Sequence, residues 1–188
     1  MIRILILILI LKGTLMAIEE PKYTIIEKND TFEIREYAPY IVAQTEVKGT
    51  FDEMGGKAFR ILVKYISGEN QKQYKITMTA PVIQEMEKSD TKSAIFSFVM
   101  PQSFTLDTLP LPLDKRIRLK EIPAKTVAVR TYSGSWSEEK YRQNEAILLK
   151  ALKEAKIETI GQAIFARYNS PFALWFMRRN EIMIGVKR

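Results

Sequence analysis

The chain has 188 residues, with 29 Lys and Arg against 22 Asp and Glu, a formal charge of +7, and 46% apolar residues. That size and composition fit one folded domain with a buried core and exclude a disordered chain. It contains no cysteine and no histidine, which excludes disulfides, thiolate nucleophiles and metal sites, imidazole bases and imidazole ligands to iron.

The first predicted element is an apolar leader. Arg3 precedes an apolar run over 4–11, Leu15-Met16-Ala17 resembles a cleavage site, and polar sequence begins at Glu19. This is the plan of a signal peptide over 1–17, and it is shorter than the roughly 20 apolar residues of a membrane-spanning helix. The expected location is periplasmic or secreted. Translation from Met16 would leave the protein cytoplasmic.

Residues 18–188 are expected to form a single domain in two similar halves, about 20–105 and 106–188. The segments 33–53 and 118–138 align at an offset of 85. Glu36 meets Glu121, Val42 meets Val127, Ala43 meets Ala128, Gly49 meets Gly134, Phe51 meets Trp136 and Glu53 meets Glu138. Each copy predicts a charged strand, a break at Pro39 or Pro123, and a second strand over 41–47 or 126–132. A glycine turn and a helix follow, over 52–66 or 137–155, with Asp52 and Ser137 as expected N-caps. Two more strands come after each helix, over 74–86 and 94–100, then over 163–168 and 180–187. The pattern is ββαββ twice. It predicts an α+β fold of eight antiparallel strands and two helices, with barrel-like closure to hide the sheet edges.

The first helix is apolar over more of its surface than one core contact requires. Phe51, Met54, Ala58, Ile61, Leu62 and Tyr65 share an arc of about 100°, the usual core-facing stripe. Phe59, Val63 and Ile66 extend the apolar surface beyond it, beside Gly55 and Gly56, and Lys57, Arg60 and Lys64 line the next edge. The second helix has one narrower stripe of Tyr141, Leu148, Leu149, Leu152 and Ala155. An apolar face edged by cations suits a flat apolar ligand bearing carboxylates, or packing beneath a loop.

Several runs carry a family resemblance. They are EEPKYTIIEK at 19–28, FEIREYAPYIVAQT at 32–45, KITMTAPV at 75–82, FVMP at 98–101, LPLPLDKRIRLKEIPAKTVAVRTYSG at 109–134 and ARYNSPFALWFMRRNEIMI at 166–184. Over about 20–188 the chain resembles the SOUL haem-binding family. The resemblance implies a distorted eight-stranded β-barrel flanked by two helices with pseudo-twofold symmetry. It also implies non-covalent binding of haem or another porphyrin in a shallow apolar cleft beside the first helix, with basic side chains near the propionates. Carried onto this chain, the expected site is Lys57, Phe59, Arg60, Val63 and Lys64. Where mammalian members carry an arginine early in the helix this chain has Gly56, so Lys57 or Arg60 takes that part. Some members are assigned an axial histidine; here any iron ligand is Tyr, Met or Lys, or there is none.

Other chemistry is poorly supported by the residues. Met78, Met100 and Met177 are read as core rather than as iron ligands. Adjacent carboxylates such as Glu138-Glu139 diverge on a helix, and no serine has a histidine to activate it, so no enzyme activity is expected. Lys115-Arg116-x-Arg118 and Arg178-Arg179 are too short for a nucleic-acid stripe, and a monomer is expected. The aromatic segment 168–176 is expected to pack one end of the barrel or to line a pocket. The alternative function is a small-molecule effector-binding or protein-interaction module. The same duplicated architecture resembles bacterial effector-binding domains of the multidrug-regulator type. Export is tested by sequencing the N-terminus of the native protein: a start at Ile18 is expected, and a start at Met1 or Met16 overturns it.

Overall fold

The computed structural model describes residues 18–87 and 92–187, so the leader over 1–17 lies outside the described residues. The first half contains β1 (Tyr23–Lys28), β2 (Glu33–Tyr37), β3 (Tyr40–Lys48), α1 (Phe51–Ile66), β4 (Val82–Met86) and β5 (Ser93–Val99). The second contains β6 (Arg118–Ile122), β7 (Lys125–Tyr132), α2 (Glu138–Glu154), β8 (Thr159–Arg167) and β9 (Asn180–Val186). The strands form one antiparallel sheet in the order β1-β2-β7-β9-β8-β4-β5-β3-β6.

The α+β class is as expected, but nine strands stand where eight were predicted. The extra one is β1, which lies antiparallel to β2 with a bulge between Ile25 and Glu27. It is exposed along most of its length, so no alternation of buried and solvated residues was written into its sequence. The order is linear, and among the described residues β1 and β6 are its edges: the sheet curls into a half-barrel rather than closing.

The predicted strand over 74–86 begins only at Val82. Pro81 has no N–H to give a ladder. The segment before it is held by single bonds instead, Ile76 N–H to the Ile66 carbonyl at 2.8 Å and the Thr79 hydroxyl to the Val99 carbonyl at 2.6 Å. This extended strap lies alongside α1.

Both helices are close to their expected positions. The N-cap of α1 is Thr50 rather than Asp52, and Glu53 Oε2 accepts the Thr50 N–H at 3.3 Å. Asp52 falls instead within the first turn, where its charge still opposes the helix dipole. Ser137 caps α2 as expected, its Oγ accepting the Lys140 N–H at 3.4 Å.

Alternate residues of the same strands feed two cores. On one side Ala43, Phe96, Ala128, Phe165 and Ile182 pack under the helices, against Met54, Leu62, Tyr65, Leu148 and Leu152. On the other, Tyr37, Val42, Val127, Val129, Tyr168 and Met183 meet inside the curl of the sheet. Phe51 and Tyr141 bring the starts of the two helices together, with ring centroids 5.9 Å apart.

Strands are exchanged between the halves, β2 pairing with β7 and β6 with β3. Arg35 of β2 lies opposite Val127 of β7, and Leu119 of β6 lies opposite Ala43 of β3. A buried ion pair reinforces the first exchange: Arg35 Nη1 donates to both carboxylate oxygens of Glu181, each at 3.1 Å, across the intervening β7. Glu181 is 0% exposed and also accepts from the Tyr168 hydroxyl at 2.7 Å and Arg179 Nε at 3.0 Å. Its burial is therefore matched by several donors, and removing one leaves an imperfectly compensated charge.

Residues 18–105 alone should show no cooperative melting, because β2 then lacks β7 and β3 lacks β6; sharp two-state melting of that fragment overturns the claim. Arg35→Met should cost about 3 kcal/mol in urea unfolding, the lower end for breaking a buried pair, since Arg179 and Tyr168 remain on Glu181. The double variant with Glu181→Gln should cost less than the sum of the singles, and strict additivity would show the two groups to be uncoupled.

Candidate functional site

The two apolar faces of α1 meet different surroundings. Met54, Ala58, Ile61, Leu62 and Tyr65 are buried against the sheet. Phe59 is 39% exposed and sits edge-on to Phe98, with centroids 5.6 Å apart. Phe59, Val63 and Ile66 form one wall of a cleft of about 930 Å³. The strap before β4 forms the other wall through Ile76, Met78 and Ala80, followed by Val82. The volume and the apolar walls are those of a small-molecule site.

Gly55 and Gly56 both line the cleft, and Gly55 leaves room for the tip of an arginine side chain. A Cβ there would stand 2.9 Å from Nη1 of Arg167, which enters from the end of β8. Arg167 Nη2 donates to Gln84 Oε1 at 2.7 Å. Its guanidinium lies 4.7 Å from the Phe165 ring centre and 5.3 Å from that of Trp136. Its Nε is buried without a hydrogen-bond partner. Burial pushes its pKa down to about 10, so the group remains cationic at neutral pH.

Of the residues singled out in the sequence, Phe59 and Val63 line the cleft and the three cations do not. Lys57 turns toward the start of the helix, pairing with Glu53 at 3.2 Å and donating to the Lys48 carbonyl at 3.3 Å. Lys64 is exposed and pairs with Glu69 at 3.5 Å. Arg60 lies along the helix by Gly56, where its Nη1 would be 3.6 Å from an added Cβ, and so occupies the rim. The cations that line the cleft are Lys75 and Arg167. Both come from outside α1, and the face of one helix could not disclose them. The glycine pair was the available sign, since it announced a close approach to that helix.

The aromatic segment divides. Tyr168, Asn169 and Pro171 line the cleft, while Phe172 is 93% exposed and Leu174, Trp175, Phe176 and Met177 are exposed beside it. Arg178 holds this loop by donating to the Ala173 and Pro171 carbonyls at 2.9 and 2.8 Å. Of the three methionines considered, Met78 reaches the cleft, Met100 is buried in the core and Met177 is on the exposed loop. Among the described residues no three His, Cys, Asp or Glu side chains converge as they would around a metal ion. Among the same residues no helix is long and apolar enough to cross a membrane.

Comparison with known proteins agrees with this architecture. Residues 18–185 match the family described as SOUL heme-binding protein. The chain is 31% identical to heme-binding protein 2 of Homo sapiens over 164 residues, covering 80% of each. It is 28% identical to heme-binding protein 2 of Mus musculus over 183 residues, covering 88% of each. Among solved structures, the C-terminal domain of EcmrR superposes with a TM-score of 0.66 at 13% identity, over 88% of this chain and 98% of that one. At that identity the likeness is one of fold.

Proposed function

The chain belongs to the SOUL heme-binding protein family, and we propose that it binds haem or a related tetrapyrrole non-covalently in the cleft beside α1, without histidine on the iron. The observation that carries this reading is the second apolar face of α1, with Phe59 and Val63 lining a cleft of about 930 Å³ at the margin of the core. The residues present fit such a group. The rings of a macrocycle would bury against Phe59, Val63 and the strap, and its acid groups would meet cations. Arg60 at the rim and Lys75 within the cleft are placed for one such contact.

Bound haem would add an electrophilic iron, but this chain has no histidine to hold it. Affinity then comes mainly from ring burial, at about 25 cal/mol for each Å² of apolar surface removed from water. The protein acts as a binder rather than an enzyme in this reading, supported by a sequence without the usual nucleophile and base pairs. An effector-binding role is the second reading, and the same apolar cleft of about 930 Å³ supports it. A fold does not name a ligand.

Titration of protein fluorescence separates these readings. Metal-free protoporphyrin should bind within about tenfold of haem, and Phe59→Ala should weaken both by about 1–2 kcal/mol through lost ring contact. Haem binding a hundredfold tighter than metal-free porphyrin would establish an iron ligand and overturn the mechanism. Binding of neither would transfer the assignment to the effector-binding reading.

A further inference from the structure

Several charged side chains near the site have partners of opposite sign. Lys57 has Glu53, Lys64 has Glu69, and Arg179 has Glu181 and Glu20. Asp52 and Lys75, which line the cleft, make no ion pair among the described residues. Arg167 likewise makes no ion pair among those residues, and its one hydrogen bond there goes to the neutral amide of Gln84. Nη1 faces Gly55 at the cleft and makes no protein hydrogen bond among those residues, and Nε is buried without a partner. Three groups act on it through space: Asp52 and the Tyr132 hydroxyl favour its charge, and Arg178 opposes it. None of them bonds to it.

Arg167 is only partly exposed at the cleft. A cation there without an ionic partner favours a bound anion, and a guanidinium presents its donors as a planar fork matched to a carboxylate. The surroundings hold that fork in place. The Phe165 and Trp136 rings pack against it, Gln84 fixes one end, and Gly55 leaves room for the other. We propose that Arg167 anchors a carboxylate of the ligand at the inner end of the cleft, so that the site selects apolar anions over their neutral or cationic counterparts. This rests on the cleft being the ligand site. It assigns to β8 a recognition role that the basic edge of α1 was expected to fill alone.

The test compares protoporphyrin IX with its dimethyl ester on wild-type protein, Arg167→Met and Gly55→Ala, following tryptophan quenching. Gly55→Ala keeps the charge and favours the helix but crowds the guanidinium out of its position. Arg167→Met should weaken the diacid by about tenfold to a hundredfold, the range for a charged hydrogen bond, and change the ester by less than about threefold. Gly55→Ala should lower the preference for the diacid in the same direction. Equal loss for acid and ester in Arg167→Met would mean a packing role, and no loss for either would mean no contact; each overturns the anchor. If wild-type protein binds neither porphyrin, the tetrapyrrole reading fails, and the anchor is decided by 1-anilinonaphthalene-8-sulfonate against neutral N-phenyl-1-naphthylamine. Weaker binding of the sulfonate alone in Arg167→Met then upholds it. Unchanged preference, or no binding of either dye, overturns it.

Discussion

The buried carboxylate of Glu181 is the group on which the arrangement of strands and cleft depends. It is fully removed from water and receives Arg35 from β2, Tyr168 from the end of β8 and Arg179 from the start of β9. A charge in that position is tolerable only while its donors stay in place. The cluster therefore holds β2 across β7 to β9 and draws both ends of the β8–β9 connection to one point. Arg167 immediately precedes Tyr168, so the same clamp sets where β8 ends and where its last guanidinium enters the cleft. Glu181 is consumed by its own donors and does not face the cleft, whose charged lining is Lys75, Arg167 and Asp52.

The two apolar faces of α1 meet different surroundings, the sheet on one side and the cleft on the other. The face bearing Met54, Leu62 and Tyr65 is sealed against the sheet, where loss of volume would be felt directly as instability. Phe59 and Val63 lie outside that contact, so their apolar surface is available to a ligand. A site built this way gains affinity from area and shape, with charge contributing orientation. In the proposed reading iron coordination contributes little, in keeping with a sequence that has no histidine.

Much of the architecture could be read from the sequence because it is written in local periods. The helices and the central strands follow from spacings of about 3.6 and 2 residues and from breaks at Pro39 and Pro123. Where no such period exists, the reading failed. The exposed β1 has no buried face to alternate against, and the strap before Pro81 looks like a strand in composition but cannot pair as one. The cap moved from Asp52 to Thr50 because both are competent acceptors and the register of the first turn decides between them. The site was half legible. Phe59 and Val63 share a helix face and could be found by periodicity, whereas Arg167 meets Gly55 only through the packing of β8 beside α1, which a single sequence does not encode.

The exchange of strands between the halves has a consequence for the order of synthesis. The polypeptide leaves the ribosome from its N-terminus, so β2 is available long before its partner β7 has been made. The β1–β2 hairpin must wait with one edge unsatisfied, and the first three-stranded unit, β4-β5-β3, waits with open edges for β6 and β8. Both wait on strands from the far side of the chain. Strand β9 completes Glu181 and with it the clamp, and the native sheet can close its ladders only after residues 180–186 have been made.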